Sequence, residues 1–246
     1  MKVLLTKSKK DYVLLKNEYL KAGIDLISCE SIELKPFTID PCGTRSIRRI
    51  ANNCPVLITS SFACELWLDL RETYFVNSRP KYYIVVGNKT AEMLKESDPD
   101  IPIETIVNSA KELKDYNFTN IEKILYPCSK SRRDEVFEIM LMKKISIIDF
   151  PIYSIEKPDN LSQKIENCVL ENEINFIVFY SPSAVINFFE SISNHSLNQL
   201  KDNLTTYVAI GETTKNEINK YISSNVIVAE NPSNKAIIEQ IQIFKK

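Results

Sequence analysis

The sequence predicts an α/β protein with parallel sheets, built as two copies of one unit. Short apolar, β-prone runs alternate with helix-period segments along nearly the whole chain, the pattern of parallel strands covered by helices. Three of these pieces also recur at an almost constant offset. Ile177–Ala184 resembles Val56–Ala63 (177 − 56 = 121), and Ile124–Ser131 resembles Val3–Lys10 (124 − 3 = 121). Tyr207–Thr214 echoes Tyr83–Thr90 (207 − 83 = 124).

The elements follow in order. Val3–Thr6 is an apolar strand. Asp11–Ala22 places Val13, Leu14, Tyr19 and Leu20 at helical spacing, with Gly23 as the stop. Ile24–Ser28 is a second strand, and Glu30–Ile39 alternates apolar and polar residues as an extended connector. Helices near Arg45–Ala51, Ala63–Arg71 and Thr90–Lys95 then alternate with strands Val56–Thr59, Tyr82–Val86 and Glu104–Val107. A helix near Ala110–Tyr116, strand Ile124–Tyr126, helix Asp134–Met142 and strand Ile145–Asp149 continue the pattern. Phe150–Glu156 reads as a second extended connector. After it come helix Leu161–Leu170, strand Phe176–Tyr180, helix Ala184–Ile192 and strand Thr206–Ile210. Helix Thr214–Tyr221, strand Asn225–Ala229 and a helix near Lys235–Phe244 close the chain.

The strand-helix-strand element that opens the chain comes last in the central copy. The second unit therefore reads as inserted into the first, with the two connectors side by side. Domain one is expected at 1–35 plus 157–246, and domain two at 38–152.

With 44% apolar and 26% charged residues the chain can bury a substantial core. A net charge of −1 supplies no global field for nucleic acid or anionic membrane, so an anionic ligand must be met by local basic groups or backbone amides. Cys29, Cys42, Cys54, Cys64, Cys128 and Cys168 are dispersed, with no C-x-x-C pair and a single histidine, His195, beside them. That pattern predicts reduced thiols in a cytoplasmic protein and no metal site. The N-terminal apolar run is too short for a signal-peptide core, and no run reaches membrane length.

Six strand ends are small and rich in hydroxyls: Thr6-Lys7-Ser8, Thr59-Ser60-Ser61, Gly87-Asn88-Lys89-Thr90, Pro127-Cys128-Ser129-Lys130, Tyr180-Ser181-Pro182-Ser183 and Gly211-Glu212-Thr213-Thr214. Each is expected to open a helix, whose free N–H groups and positive dipole end suit carboxylates. Ordinary N-capping accounts for any one of them; six in two matched units favour a cradle for a polyanion. Lys7, Lys9 and Lys10 follow the first strand as Lys130, Arg132 and Arg133 follow its counterpart, and Arg45, Arg48 and Arg49 lie near the connector. No nucleotide loop, zinc motif or serine elbow occurs, and His195 has no partner at motif spacing. Tyr153, in the returning connector, reads as a half-buried strand tyrosine or as a donor to a leaving group.

Several of these segments resemble the uroporphyrinogen-III synthase family: Val56-Leu-Ile-Thr-Ser-Ser, Val85-Val86-Gly87-Asn88-x-Thr90-Ala91, Ile124-Leu-Tyr-Pro-Cys128 and Ile147–Tyr153. So do Val178–Ser183, Ala209–Thr214 and Ala229–Ala236, in the family's order. The resemblance implies two flavodoxin-like domains joined by a two-stranded connector. It implies hydroxymethylbilane, with eight carboxylates, as substrate, and cyclisation to uroporphyrinogen III with inversion of the last ring. No cofactor is implied. Tyr153 matches the family tyrosine proposed to assist departure of the hydroxyl. Thr59, Thr90, Ser181, Ser183 and Thr214 match positions lining the family's cleft. With Thr6, Lys7, Ser60, Gly87, Ser129, Lys130, Gly211 and Thr213 they form the expected binding set. Two positions depart from the pattern: Lys7 stands where many relatives have Arg, and Phe62 where Arg or Asn is frequent. A monomer is expected, with transient contact to hydroxymethylbilane synthase as its one candidate protein partner. The rival reading is a non-catalytic two-lobed binding protein for a small polyanion.

Overall fold

Val3–Leu5, Phe176–Phe179 and Val226–Val228 are short continuous apolar runs, the signature of strands buried on both faces. The computed structural model describes residues 1–52, 54–75, 78–97, 99–100, 102–131 and 134–244, and of residues 41–44 the backbone only. Arg132, Arg133 and the Cys42 side chain, all weighed above, lie outside the described residues.

In chain order the elements are β1 (Lys2–Leu5), α1 (Lys9–Lys21), β2 (Asp25–Ser28), β3 (Glu33–Pro36), α2 (Pro41–Ala51), β4 (Val56–Ile58) and α3 (Ser61–Tyr74). Next come β5 (Tyr83–Val86), α4 (Asn88–Ser97), β6 (Ile103–Val107), a 3-10 helix (Ala110–Lys114), β7 (Lys123–Ser129), α5 (Asp134–Met142) and β8 (Ser146–Glu156). The last are α6 (Leu161–Glu171), β9 (Phe176–Phe179), α7 (Pro182–Ser191), α8 (Asn194–Asp202), β10 (Thr206–Ala209), α9 (Glu212–Ile218), β11 (Val226–Val228) and α10 (Asn234–Ile243).

The chain divides into two units: Met1–Leu34 with Glu156–Lys246, and Lys35–Ile155. The first holds a five-stranded sheet in the order β2-β1-β9-β10-β11, every pair parallel. The second holds β8-β7-β4-β5-β6, also with parallel pairs, and β3 lies beside β8 at the edge. Counted from β7, the second sheet has the spatial order of the first: second strand, first, third, fourth, fifth.

Alternation along β9 shows how the first sheet is covered. Ile177 and Phe179 join one core with Leu161, Ile165 and Val169 of α6 and Val185 and Phe188 of α7. Phe176 and Val178 point the other way, to Leu15 and Tyr19 of α1 and Ile237 and Ile241 of α10. In the second unit Leu57, Ile84, Ile124 and Tyr126 pack on Val136, Ile139 and Met140 of α5.

Four local expectations change. Ala110–Lys114 is a 3-10 helix rather than an α-helix. The segment after α7 forms a further helix, α8, capped by Ser193, whose Oγ accepts from Ser196 N. His195 lies exposed in its first turn. The strand expected at Ile145–Asp149 and the connector after it are one continuous strand, β8. Likewise β7 runs on through Ser129, so Ser129 and Lys130 do not open a helix. Ser129 is a buried strand end and Lys130 an exposed turn residue. The cause is the ladder: seven residues of β7 pair with β8, which outweighs the turn signal of Pro127. Among the described residues no helix is long and apolar enough to cross a membrane.

Candidate functional site

The functional residues expected from sequence fall on both sheets, at the carboxyl ends of the strands, where parallel sheets present their ligand-binding edge. In the second unit β4 ends at Ile58 and the chain turns through Thr59 and Ser60 into α3. Ser60 is extended (φ −154°, ψ 150°) and its Oγ accepts from Ala63 N at 3.1 Å, an N-cap. The same Oγ lies 3.4 Å from the Tyr153 hydroxyl. Tyr153 arrives from β8: a register shift between Cys128 and Ser129 brings it opposite Ser129, and its carbonyl accepts from Lys130 N at 2.8 Å. Pro151, which has no N–H for the ladder, lies beside this irregularity. The Tyr153 ring is buried, with the Phe62 ring edge-on to it at 5.0 Å. Phe62, a departure from the family pattern, is thus a wall for Tyr153.

Two further hydroxyl pairs extend the cluster. Thr59 Oγ1 lies 3.1 Å from the Tyr126 hydroxyl, and Ser61 Oγ lies 3.3 Å from Thr90 Oγ1. Burial pushes the Tyr126 hydroxyl up to about 12, partly opposed by its hydrogen bond with Thr59. Gly87 precedes α4 with φ +92°, a left-handed conformation that favours glycine, while its N–H donates to the Val107 carbonyl at 2.7 Å. The arrangement is a set of hydroxyl donors and acceptors at one sheet edge, with Ser60 in contact with Tyr153, beside the N-terminus of α3. It can donate hydrogen bonds or a proton to an anionic ligand without a strong acid. Among the described residues no group of three or more His, Cys, Asp and Glu could hold a metal ion.

In the first unit Thr6 is buried and its Oγ1 donates to the Val178 carbonyl at 2.8 Å, locking β1 to β9. Ser8, not Thr6, caps α1, accepting from Asp11 N. Ser181 caps α7 by accepting from Ala184 N at 3.2 Å, and Ser183 lies half-buried in the first turn. Gly211 precedes α9, Thr213 is exposed, and Thr214 is buried. Lys7 forms an ion pair with Asp11 and stands over the Tyr180 ring. Arg45, Arg48 and Arg49 are exposed on α2.

Sequence reasoning placed Thr59, Ser60, Thr90, Ser129 and Lys130 at strand ends of the second unit, and Tyr153 in the returning connector; the structure brings Tyr153 to Ser60 and Ser129. It named Ser61 and Tyr180 in the strand-end loops without assigning either a role, and it did not single out Tyr126. The repeat carried a signal for Tyr180, which occupies the place of Thr59 (180 − 121 = 59).

Comparison with known proteins adds an independent line. Residues 15–239 match the family described as uroporphyrinogen-III synthase HemD. A porphyrin biosynthesis protein HemD of Ruminiclostridium josui is 22% identical over 98% of this chain and 48% of its own length. The chain thus spans about half the length of that curated relative. Among solved structures, a mutant uroporphyrinogen III synthase from Thermus thermophilus is similar over all of this chain and 97% of its own, at 12% identity and a TM-score of 0.67. The uroporphyrinogen-III synthetase of Helicobacter pylori is similar over 100% and 99% of the two chains, at 16% identity and a TM-score of 0.63. Both likenesses concern the fold.

Proposed function

The chain belongs to the uroporphyrinogen-III synthase family, and from that premise we propose that it cyclises hydroxymethylbilane to uroporphyrinogen III with inversion of the last ring. The observation that carries this reading is the extent of the family match, from α1 to α10 and through both units. The strand order second-first-third-fourth-fifth is that of flavodoxin-like sheets, and supports two such domains, the second inserted in the first. Domain limits near 1–35 with 157–246, and 38–152, belong to this proposal, as does a two-stranded connector formed by β3 and β8.

In the proposed reaction Tyr153 donates its hydroxyl proton to the departing hydroxyl of the bilane, which leaves as water. The lone pair of the nitrogen of the pyrrole that carries it expels it and leaves an azafulvenium cation. The substituted carbon of the last pyrrole attacks, a spiro intermediate fragments, and the ring recloses inverted. The proton finally lost from the closing pyrrole carbon restores the tyrosine. Ser60 Oγ, 3.4 Å from the Tyr153 hydroxyl, is its neighbour at the sheet edge, and either hydroxyl can donate to the other.

The remaining barrier is geometric. The bilane closes by itself to the type I isomer, so the protein's task is to hold eight carboxylates while one closure is reachable. Thr59, Ser60, Gly87, Thr90, Ser129 and Lys130 on the second sheet edge are assigned to that binding. So are Thr6, Lys7, Ser181, Ser183, Gly211, Thr213 and Thr214 on the first. Thr6 and Thr214 are buried, so they act through the backbone of their loops. The reaction is a dehydrating cyclisation, of the lyase class, with no cofactor. A cytoplasmic monomer that receives its unstable substrate from hydroxymethylbilane synthase completes the proposal.

The test supplies hydroxymethylbilane generated in situ by its synthase and separates uroporphyrin isomers after oxidation. Predominant type III at low protein concentration is the expected outcome. Type I alone, from demonstrably folded protein, refutes the activity and favours a non-catalytic polyanion-binding protein.

A further inference from the structure

Lys7 and Tyr180 stand just beyond the ends of two neighbouring strands of the first sheet, β1 and β9. The Lys7 ammonium lies over the Tyr180 ring, 4.4 Å from its centroid. It is also 3.3 Å from Asp11 Oδ1, one helical turn along α1. Ser8 Oγ donates to the other Asp11 oxygen at 2.7 Å, so that carboxylate is fixed as well.

The ring beneath the lysine is itself clamped. The Tyr180 hydroxyl donates to Asn234 Oδ1 at the start of α10, at 2.8 Å. With that single proton committed, Tyr19 is the donor in the 3.2 Å contact between the two tyrosine hydroxyls. Tyr19 is a fully buried residue of α1. Two helices thus hold the ring from the core side, leaving its face to the ammonium.

A lysine is a point charge on a long flexible stem, and ordering it around an anion costs rotamer freedom. Here the ring face and Asp11 order it in advance. An ammonium has three donors, and the ion pair with Asp11 leaves others for a ligand. We propose that Tyr180 is a positioning residue: its ring holds the Lys7 ammonium at the first sheet edge, where it receives one carboxylate of the tetrapyrrole. The inference rests on the substrate class proposed above.

Calorimetric titration with uroporphyrin III, an octacarboxylate, tests it without turnover. Lys7→Gln and Tyr180→Leu should each weaken binding about threefold to thirtyfold, the range of a cation–π contact. The double variant should bind no more weakly than Lys7→Gln alone. Tyr180→Phe, which keeps the ring but loses the hydroxyl that clamps it, should lose clearly less affinity than Tyr180→Leu. Additive losses overturn the inference, as does unchanged affinity in Lys7→Gln or a loss in Tyr180→Phe equal to that of Tyr180→Leu. If Tyr180→Leu does not fold, Lys7→Gln serves as the reference for Tyr180→Phe by the same criteria. A chain that forms no type III isomer yet shows this coupling refutes the activity and leaves the positioning intact.

Discussion

The Tyr153 hydroxyl lies 3.4 Å from Ser60 Oγ, the atom that also caps α3. One serine therefore serves a helix terminus and the candidate proton donor together. Removing it should touch both roles, whereas removing the tyrosine hydroxyl leaves the helix cap in place.

Tyr153→Phe keeps the ring packed under Phe62 and deletes only the hydroxyl. Type III formation should fall about a hundredfold, within the range of a lost general acid, while the thermal midpoint stays near that of the parent. Initial rates of type III formation beside a melting curve check both. Unchanged turnover removes Tyr153 from the chemistry.

Ser60→Ala should destabilise the protein by about 1 kcal/mol through the lost cap, read from urea denaturation. Ser181→Ala removes the matching cap of α7 and should cost a similar amount. Only Ser60→Ala removes a hydroxyl partner of Tyr153, so a fall in rate confined to Ser60→Ala separates the two roles.

Gly87→Ala places a side chain on a backbone at φ +92°. No atom crowds the new Cβ closer than 3.9 Å, from Thr90 Oγ1, so the cost is conformational, about 1–2 kcal/mol. Equilibrium unfolding measures it. A stabilised variant would mean that the loop relaxes to another conformation.

Alkaline stability should be limited by buried tyrosines. Tyr19, Tyr126 and Tyr207 are each raised to about 12 from 10.0, burial being the first cause. The folded state favours the neutral phenol, so this stabilisation is complete below pH 10. It is lost as pH rises from about 10 through about 12, where the unfolded chain ionises first. Unfolding free energies between pH 9 and 11.5 should fall with pH, and Tyr126→Phe should flatten the slope.

Cys168 should alkylate before Cys29, Cys54 and Cys64. The Cys29 hydrogen bond lowers the Cys168 thiol, helped by the Lys164 charge, whereas Cys29, Cys54 and Cys64 are all raised. Cys168 is also the more accessible, the others being buried. Timed iodoacetamide labelling with peptide mass analysis resolves the order.

The sequence carried most of the strands because each is a run of apolar residues bounded by polar turns, as in Phe176–Phe179. The repeat offset, a local property of Val56–Ala63 and Ile177–Ala184, exposed the shared unit. What escaped was decided by partners far along the chain. Ser129 read as a loop because Pro127 precedes it, yet pairing with β8 keeps it in the strand. Helix α8 carries few apolar residues, and its inner face is marked chiefly by Leu200. At the site, residue types were legible but partners were not. Nothing local says that Phe62 meets Tyr153 or that Asn234 meets Tyr180, because contacts between elements depend on a sheet order that spacing alone does not encode.

The pairing of β1 with β9 joins Val3 to Phe176, a separation of 173 residues (176 − 3), whereas Lys35–Ile155 is one uninterrupted stretch of chain. During synthesis β1, α1 and β2 emerge before the rest of their sheet and lack the central strand β9 that β1 pairs with. At about 5–20 residues per second, they wait on the order of ten seconds while the other unit is made whole. That unit is expected to fold first on the ribosome, and its closure shortens the effective loop that β9 must close to reach β1. Within the first unit, the strand-helix-strand piece β1, α1 and β2 is thus the part that waits longest for its partners. Destabilising changes within Lys35–Ile155 should lower the yield of the whole chain more than equal changes near its carboxyl end.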